Sequence, residues 1–527
     1  MRKAAPTLPI VALYPLFFVL IYLAHFTLLR LPYFWDEAGY YIPAAWDFFH
    51  TGTLIPISTL TNAHPPLPSI LLAFWWHFSG FVPSGTRTFV VMVAAAALLA
   101  VFRLARHLTD STAVAATVTF LTAIYPVWFT QSTLAHADIF AAAFTLWALA
   151  LLLPNLSKQS TSPLLQATVA LLFSCAALSK ETAIIPPLVL AAWCLKSHKT
   201  PIFRGWIVPL TLPVLPLIAW YAYHRAKTGY IFGNPEYLRY NATANLGPIH
   251  TLLALWHRFN HLTSHMNLWV PVVSTIAVLL LPRHTPSTLA KPAKTALFIL
   301  ILTGYLEFSV LGGALLTRYL LPIYPLLLLL MVDTWRSRLH RWWPLPLLTA
   351  AAFFAALFVN PPFAFAPEDN LTYRDMIVLH QQAAAFIEAH YPQATVLTAW
   401  PATGELRRPE LGYVHQPIAT APLENFALDQ IQRAAQSPGE YDTAYIFTTK
   451  YDPPNDALNF SRFIHLGKTA RFDYTRDLHP EEVARMLHGT VVWHNEIRGE
   501  WAAVLRFPRI TNARNIAPSA TIQAKHL

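Results

Sequence analysis

The chain has 527 residues and a mass of 59.2 kDa; 55% of its residues are hydrophobic, only 12% are charged, and its mean hydropathy is +0.40. Soluble domains carry about 25% charged residues, so this composition excludes a water-soluble globule and predicts a polytopic α-helical membrane protein. Lys and Arg number 37 against 27 Asp and Glu, a formal +10, but most of the basic residues lie in short loops between apolar runs, where they report topology and give nucleic-acid binding no support.

Arg2 and Lys3 precede about twenty mostly apolar residues with no A-x-A cleavage site after them, so this run reads as an uncleaved first span. A transmembrane helix needs roughly 20 apolar residues, fewer where it is tucked among others. On that basis spans are predicted near 9–29, 87–106, 112–129, 135–153, 164–179, 182–196, 205–223, 266–282, 295–315, 318–333 and 343–360, about eleven in all. With a cytoplasmic N-terminus, the inside loops carry Arg103 and Arg106, then Lys158, then Lys196, Lys199 and Arg204, then Arg283, Lys291 and Lys294, then Arg336, Arg338 and Arg341. The first outside loop, 31–86, has no Lys or Arg at all, an asymmetry that fixes this orientation. The second large outside loop, about 224–265, has several basic residues and fits less well. Cys175 and Cys194 lie inside apolar runs without metal-ligand spacing, so no disulfide framework or zinc site is predicted.

Two short stripes stand out in the first outside loop. Ala38, Tyr41, Ile42, Ala45, Trp46 and Phe49 follow helical spacing up to Gly52; Leu67, Ile70, Leu71, Phe74, Trp75 and Phe78 repeat it between Pro65-Pro66 and Gly80. Each is too short to span and aromatic enough to lie at the membrane surface, which predicts two interfacial helices. From about Asn360 the sequence turns charged and Pro-rich, with strand-like runs at Ala394 to Ala399 and Tyr441 to Thr448 and helix-like stretches near 372–391 and 424–436. An odd number of spans puts this region outside, giving a membrane domain, 1–360, and a soluble α/β domain, 361–527, long enough for its own core.

The candidate chemistry lies on the outer side. Asp36 and Glu37 open the first interfacial helix beside aromatic rings, where partial desolvation suits a carboxylate to act as a general base; Asp36 is equally suited to cap the helix, and Glu37 to orient the site or to match the positive helix end. Asp138 sits near the outer end of a span, a costly position unless it faces a polar cavity or a partner, and a wet helix start is the alternative. Lys180-Glu181 occupies an outer turn where one cation could hold a phosphate, or the two could form a local ion pair. Arg318-Tyr319 adds a second outside cation at membrane depth, suited to an anionic lipid head group or to snorkelling. His64, before the second interfacial helix, is a candidate for a phosphate, a metal or a substrate hydroxyl, or a solvated loop histidine. There is no P-loop, Gly-rich nucleotide fingerprint or serine-hydrolase elbow.

Taken in order, Trp35-Asp36-Glu37 with Tyr40-Tyr41, His64-Pro65-Pro66-Leu67, His136-Ala137-Asp138, Leu178-Ser179-Lys180-Glu181 and Arg318-Tyr319-Leu320-Leu321-Pro322 resemble the GT-C glycosyltransferases of the protein O-mannosyltransferase and lipid A aminoarabinose transferase type. The resemblance covers about residues 9 to 335 and rests on the order and spacing of the motifs together. It implies a GT-C fold in a bacterial inner membrane and an inverting transfer of sugar from a polyprenyl-phosphate donor, undecaprenyl phosphate in bacteria, to a periplasmic glycan, lipid or protein. Metal use varies within the group, so a divalent metal is left open, with His64, Glu181 and His136 as its candidates or as substrate contacts. Carried over by motif, Asp36 is the base with Glu37 on its helix, Asp138 the second acidic position, and Lys180 and Arg318, with Tyr319 beside it, contact the donor phosphate. His64 stands where the lipid A transferases often have Lys, and His-Ala-Asp where His-Asn-Asp is common; these departures bear on the sugar and acceptor more than on the reaction class. The rival readings are a transporter or flippase of lipid-linked sugar, against which the lack of internal repeats counts, and a non-catalytic scaffold.

Overall fold

In a computed structural model of the protein, the described residues are 10–61, 64–156, 158, 161–196, 204–233, 235–238, 247–287, 289–311, 315–451, 453 and 477–508. Lys199, which entered the charge asymmetry, and Asn62 and Ala63, which precede His64, lie outside them, as do 239–246 of the second outside loop. The described residues divide into two compact units: the first runs to Ile377 and includes Lys450, Tyr451 and Pro453, and the second comprises Val378–Thr449 with 477–508.

The first unit is helical, and each of the eleven expected spans contains a helix. Four of these helices are long and apolar enough on their own to cross a membrane: Pro83–Thr109, Ala137–Asn155, Ile207–Thr228 and Lys291–Val310. A fifth is added if Pro248–Asn267 and Trp269–Leu279, bent by 99° at their junction, count as one span, and shorter apolar helices occupy Ile10–Ala24, Thr112–Ile124, Pro163–Ser179 and Pro344–Phe358. Proline sets many starts, because its missing N–H is lost at no cost in the first turn: Pro83, Pro163, Pro248 and Pro344 each stand at a helix N-terminus. Ser111 and Ser162 cap the helices that follow them by accepting from the amides of Val114 and Leu165.

Both short helices expected in 31–86 form, at Ile42–Thr51 and Leu67–Ser79, and each is closed by a glycine at positive φ, Gly52 at 70° and Gly80 at 69°. Glu37–Tyr41 leads into the first as a wider π-helical turn. The two apolar stripes point differently. Ala38, Ile42 and Ala45 of the first are buried in protein. In the second, Pro68, Ser69, Leu72, Ala73 and Trp76 pack inward, while Phe74 and Phe78 of the predicted stripe are 63% and 72% exposed. An outward aromatic face on a short helix is the pattern expected of a helix that lies on lipid.

The second unit is built on a five-stranded sheet ordered β2-β1-β3-β5-β4, with β1 Val396–Ala399, β2 Thr420–Leu423, β3 Thr443–Phe447, β4 Thr490–Ile497 and β5 Glu500–Arg506. β1 pairs in parallel with β2 and β3, and the β4–β5 hairpin adds antiparallel to β3. The expected strands thus appear as β1 and β3, and the expected helices at Thr372–His390 and Leu428–Ala434. Residues 361–377, assigned from composition to the outer domain, belong with the first unit.

Thr86 fixes the segment that carries the site. Its Oγ1 accepts from the Trp76 indole at 2.8 Å, lies 2.8 Å from the Tyr33 hydroxyl, and all three residues are buried. Thr86→Val leaves the buried indole N–H without its acceptor, at about 1–3 kcal/mol. It should lower the melting temperature of the purified protein clearly, whereas Thr88→Val, which loses only a bond to the Ser84 carbonyl within the helix, should shift it little.

Candidate active site

Arg318 is the centre of the site. It lies in a single 3-10 turn, Thr317–Leu320, just after Leu315 at φ 52°, a left-handed conformation that costs about 1–2 kcal/mol for a residue with a side chain. Its guanidinium is 3% exposed and meets three carboxylates from three segments: Nη2 donates to Asp36 Oδ2, Nη1 donates to Glu368 Oε1, and Nε lies 3.2 Å from Asp138 Oδ2. The other oxygen of Asp138 accepts from Lys180 Nζ at 2.5 Å. The Lys180 ammonium also stands 3.7 Å from the centre of the Tyr319 ring, in a cation–π contact. Asp36, Asp138, Lys180, Arg318 and Tyr319, dispersed over almost 300 residues of sequence, therefore form one connected cluster.

The three carboxylates differ in access. The Asp36 side chain is 18% exposed, against 3% for Asp138 and 5% for Glu368, so Asp36 is the one that an incoming group can reach. Trp35, at φ 45°, aims it, and strain of this kind gathers at functional sites. Asp36 accepts no amide as a helix cap; its recorded partner is Arg318.

Glu37 points elsewhere. It is fully buried; Oε2 accepts from the Phe34 amide at 2.9 Å and from Arg87 Nη2 at 3.1 Å, and Oε1 accepts from the Ala135 amide at 2.7 Å. Arg87 in turn donates to the carbonyls of Leu31, Pro32 and Thr133. This pair clamps the segment before Asp36 to the segment before His136 and Asp138, and its geometry is that of a support, set apart from the reachable carboxylate beside it.

His64 Nδ1 lies 2.8 Å from Glu181 Oε2, and its ring stacks on Tyr41 at 6.1 Å. Burial is the largest influence on Glu181 and raises it, but His64 and the hydrogen bonds outweigh it and hold the carboxyl below its usual range. His136 is fully buried, with Nδ1 2.9 Å from Gln131 Oε1 and its ring 5.8 Å from Tyr41. Tyr40, Tyr41, Leu60, His64 and Pro65 line a small cleft, and the charges of Asp138, Arg318 and Asp36 all act on Tyr41, so the cleft adjoins the cluster. Among the described residues no three His, Cys, Asp or Glu side chains are grouped to hold a metal ion. The His64–Glu181 pair supplies two donors of a ligand set and, among the described residues, no third stands with them.

Arg87 and Glu368 are not among the residues that the sequence singles out. An arginine near the outer end of a predicted span was a usable signal for the first. Glu368 lies in the ordinary tripeptide Pro-Glu-Asp after the last span.

The profile of the dolichyl-phosphate-mannose-protein mannosyltransferase family matches residues 63–221, which include His64, His136, Asp138 and Lys180-Glu181. The fold is similar to that of ArnT from Cupriavidus metallidurans, both bound to undecaprenyl phosphate, with a TM-score of 0.55, 13% identity and coverage of 97% of this chain and 99% of that one, and in the apo state, with a TM-score of 0.57, 12% identity and coverage of 94% and 98%. The resemblance read from the motifs is borne out. The first unit with its C-terminal sheet unit has the ArnT fold. No curated protein sequence matches the chain.

Two outcomes follow from this geometry. Removing one partner of a buried ion pair strands the other, at about 3–5 kcal/mol, so Glu37→Ala or Arg87→Ala should depress the melting temperature strongly, whereas Asp36→Asn should leave it nearly unchanged; equal effects at Asp36 and Glu37 would contradict their separation into reactive and supporting groups. Burial, the largest influence on Glu368, raises its carboxyl to about 8 against Arg318, which pulls it down. The folded protein then holds a proton there that the unfolded chain releases above about pH 4.3, so stability falls as pH rises from there through about 8. A plot of melting temperature against pH should be flatter for Glu368→Gln, and an unchanged slope would contradict this assignment.

Proposed function

We propose that the protein is an inverting glycosyltransferase that moves a sugar from a polyprenyl-phosphate-linked donor to a hydroxyl of a glycan, lipid or protein. On this reading it is a multi-pass protein of the bacterial inner membrane, with a cytoplasmic N-terminus and with its active site and C-terminal unit on the periplasmic side. The observation that carries the reading is the pairing of a reachable carboxylate with two buried cations: Asp36 on Arg318, and Lys180 on Asp138 beside it. The matched family, whose name specifies a dolichyl-phosphate-mannose donor, and an ArnT structure bound to undecaprenyl phosphate support a lipid-phosphate donor.

The roles follow from charge. Before the donor binds, Arg318 is shared among carboxylates. A donor phosphate is a stronger partner for a guanidinium fork than a single carboxylate oxygen, and it displaces Asp36 while Lys180 takes another of its oxygens. The freed Asp36 carboxylate then accepts the proton of the acceptor hydroxyl as that oxygen attacks the anomeric carbon from the face opposite the phosphate. The new glycosidic bond forms as the bond from the anomeric carbon to the phosphate oxygen breaks, and that oxygen leaves with the electron pair as polyprenyl phosphate. Arg318 and Lys180 stabilise the charge that grows there. Asp138 holds the two cations in place, Glu368 accepts from Arg318 as a carboxyl that keeps its proton, and Glu37 with Arg87 fixes the segment that aims Asp36.

The test is turnover in membranes supplied with a panel of labelled polyprenyl-phosphate sugars, comparing the wild type with Asp36→Asn at equal expression. A general base contributes about 10²–10⁴-fold, so the variant should lose at least about a hundredfold in donor consumption while still binding undecaprenyl phosphate. Equal consumption by both proteins would remove Asp36 as the base, and movement of the donor across the membrane without its consumption would favour a transporter.

A further inference from the structure

Glu307 takes no part in the cluster described above, yet it occupies an unfavourable place for a carboxylate. After Lys291 and Lys294 it is the only charged residue of the helix Lys291–Val310, one of those apolar enough to span a membrane. It stands in the last turn, where the helix dipole opposes a negative charge, and its Oε1 is buried with no hydrogen-bond partner. The charges that act on it are Lys180, which attracts it, and Glu181, which repels it. An ionisable side chain kept at membrane depth under these conditions marks a function that requires it.

Its neighbours place it beside the donor site. Phe308, the next residue, packs its ring 5.4 Å from Tyr319, the ring that carries the Lys180 ammonium. Arg258 ties the same turn down: Nε donates to the Phe308 carbonyl at 2.9 Å and Nη1 donates to the Leu316 carbonyl at 2.7 Å, two residues before Arg318. One turn earlier, Gly304 lets the helix press on the segment after Arg318, where a Cβ would come within 2.8 Å of the Ile323 side chain. The turn that carries Glu307 is thus tied to the Tyr319 ring and to the segment of Arg318, and Lys180 is the cation that acts on Glu307.

We infer that Glu307 reads the donor sugar, accepting hydrogen bonds from sugar hydroxyls while Lys180 and Arg318 hold the phosphate; this rests on the transferase reading above. A buried carboxylate oxygen without a partner needs an O–H or N–H donor. The sugar is joined directly to the phosphate, so its hydroxyls fall within a few ångströms of the cations and supply donors that a lipid tail lacks. Glu307 is then a specificity-determining residue of the donor site, and the sugar that the protein selects carries a free hydroxyl on the side facing this helix.

The test measures binding, so that it does not depend on catalysis. Full-length wild type, Glu307→Gln and Glu307→Ala in nanodiscs are titrated with undecaprenyl phosphate and with its hexose- and pentose-linked forms, after melting curves confirm that all three proteins are folded. A buried hydroxyl left without its acceptor supports about a tenfold to hundredfold effect. The expected result is that the wild type prefers one sugar-linked lipid over undecaprenyl phosphate, that both variants lose that preference by at least about tenfold, and that their affinity for undecaprenyl phosphate is unchanged. A uniform loss for all ligands would make Glu307 a support for Lys180 and overturn the inference, as would preferences identical to the wild type or a wild type with no preference. If the preference is present and Glu307-dependent but no sugar is ever transferred, the transferase reading fails and Glu307 remains a sugar-binding residue.

Discussion

One buried guanidinium organises the candidate site of this protein. Arg318 holds Asp36, Asp138 and Glu368 from separate segments, and Lys180 reaches the same cluster through Asp138. Taking these charges out of water costs several kcal/mol per ion, and the cost is repaid only where each finds partners in good geometry. The cluster is therefore poor value as a stabilising device. It makes sense as a preorganised field for an anion, in which carboxylates hold the cations until a phosphate takes their place. Preorganisation of that kind is the largest single source of catalysis in many enzymes, because the dipoles need not turn when charge develops.

The neighbouring residues Asp36 and Glu37 show how one dipeptide divides its labour. They are chemically alike and adjacent, yet Asp36 keeps 18% exposure on Arg318 while Glu37 is sealed against Arg87 and two backbone amides. The π-helical turn that begins at Glu37 and the left-handed Trp35 before it send the two carboxylates in different directions. The sealed one gives the rigidity; the open one is left for chemistry. Glu307 extends the same logic to the donor side, since it too is a carboxylate that the fold keeps at a cost.

Much of this was legible in the sequence because the motifs are short and local. Helical spacing with a closing glycine located both short helices of the first outside loop to within a few residues, and every expected apolar run contains a helix. The motifs around Asp36, Asp138, Lys180 and Arg318, taken in order, resembled one transferase type before any contact was known, and that resemblance implied the reaction class beside the transporter and scaffold readings. Long-range pairing was not legible. Nothing near Glu368 announces that it meets a residue 50 positions earlier, and composition alone assigned 361–377 to the outer domain although Glu368, Asp369 and Tyr373 bond to Arg318, His265 and Thr133 of the first unit. Arg87 and Glu307 could have been found by asking why a charge stands inside an apolar run. The direction of the second aromatic stripe could not, since periodicity gives a face without saying what covers it.

The central claim is that lipid phosphate and Asp36 compete for Arg318. Its most direct measurement is an experimental structure of this protein with undecaprenyl phosphate bound. The account predicts phosphate oxygens within hydrogen-bond distance of Arg318 and Lys180, with the Asp36 carboxylate released toward the cleft beside Tyr41 and His64. A phosphate bound elsewhere, with the Asp36–Arg318 pair intact, would contradict it.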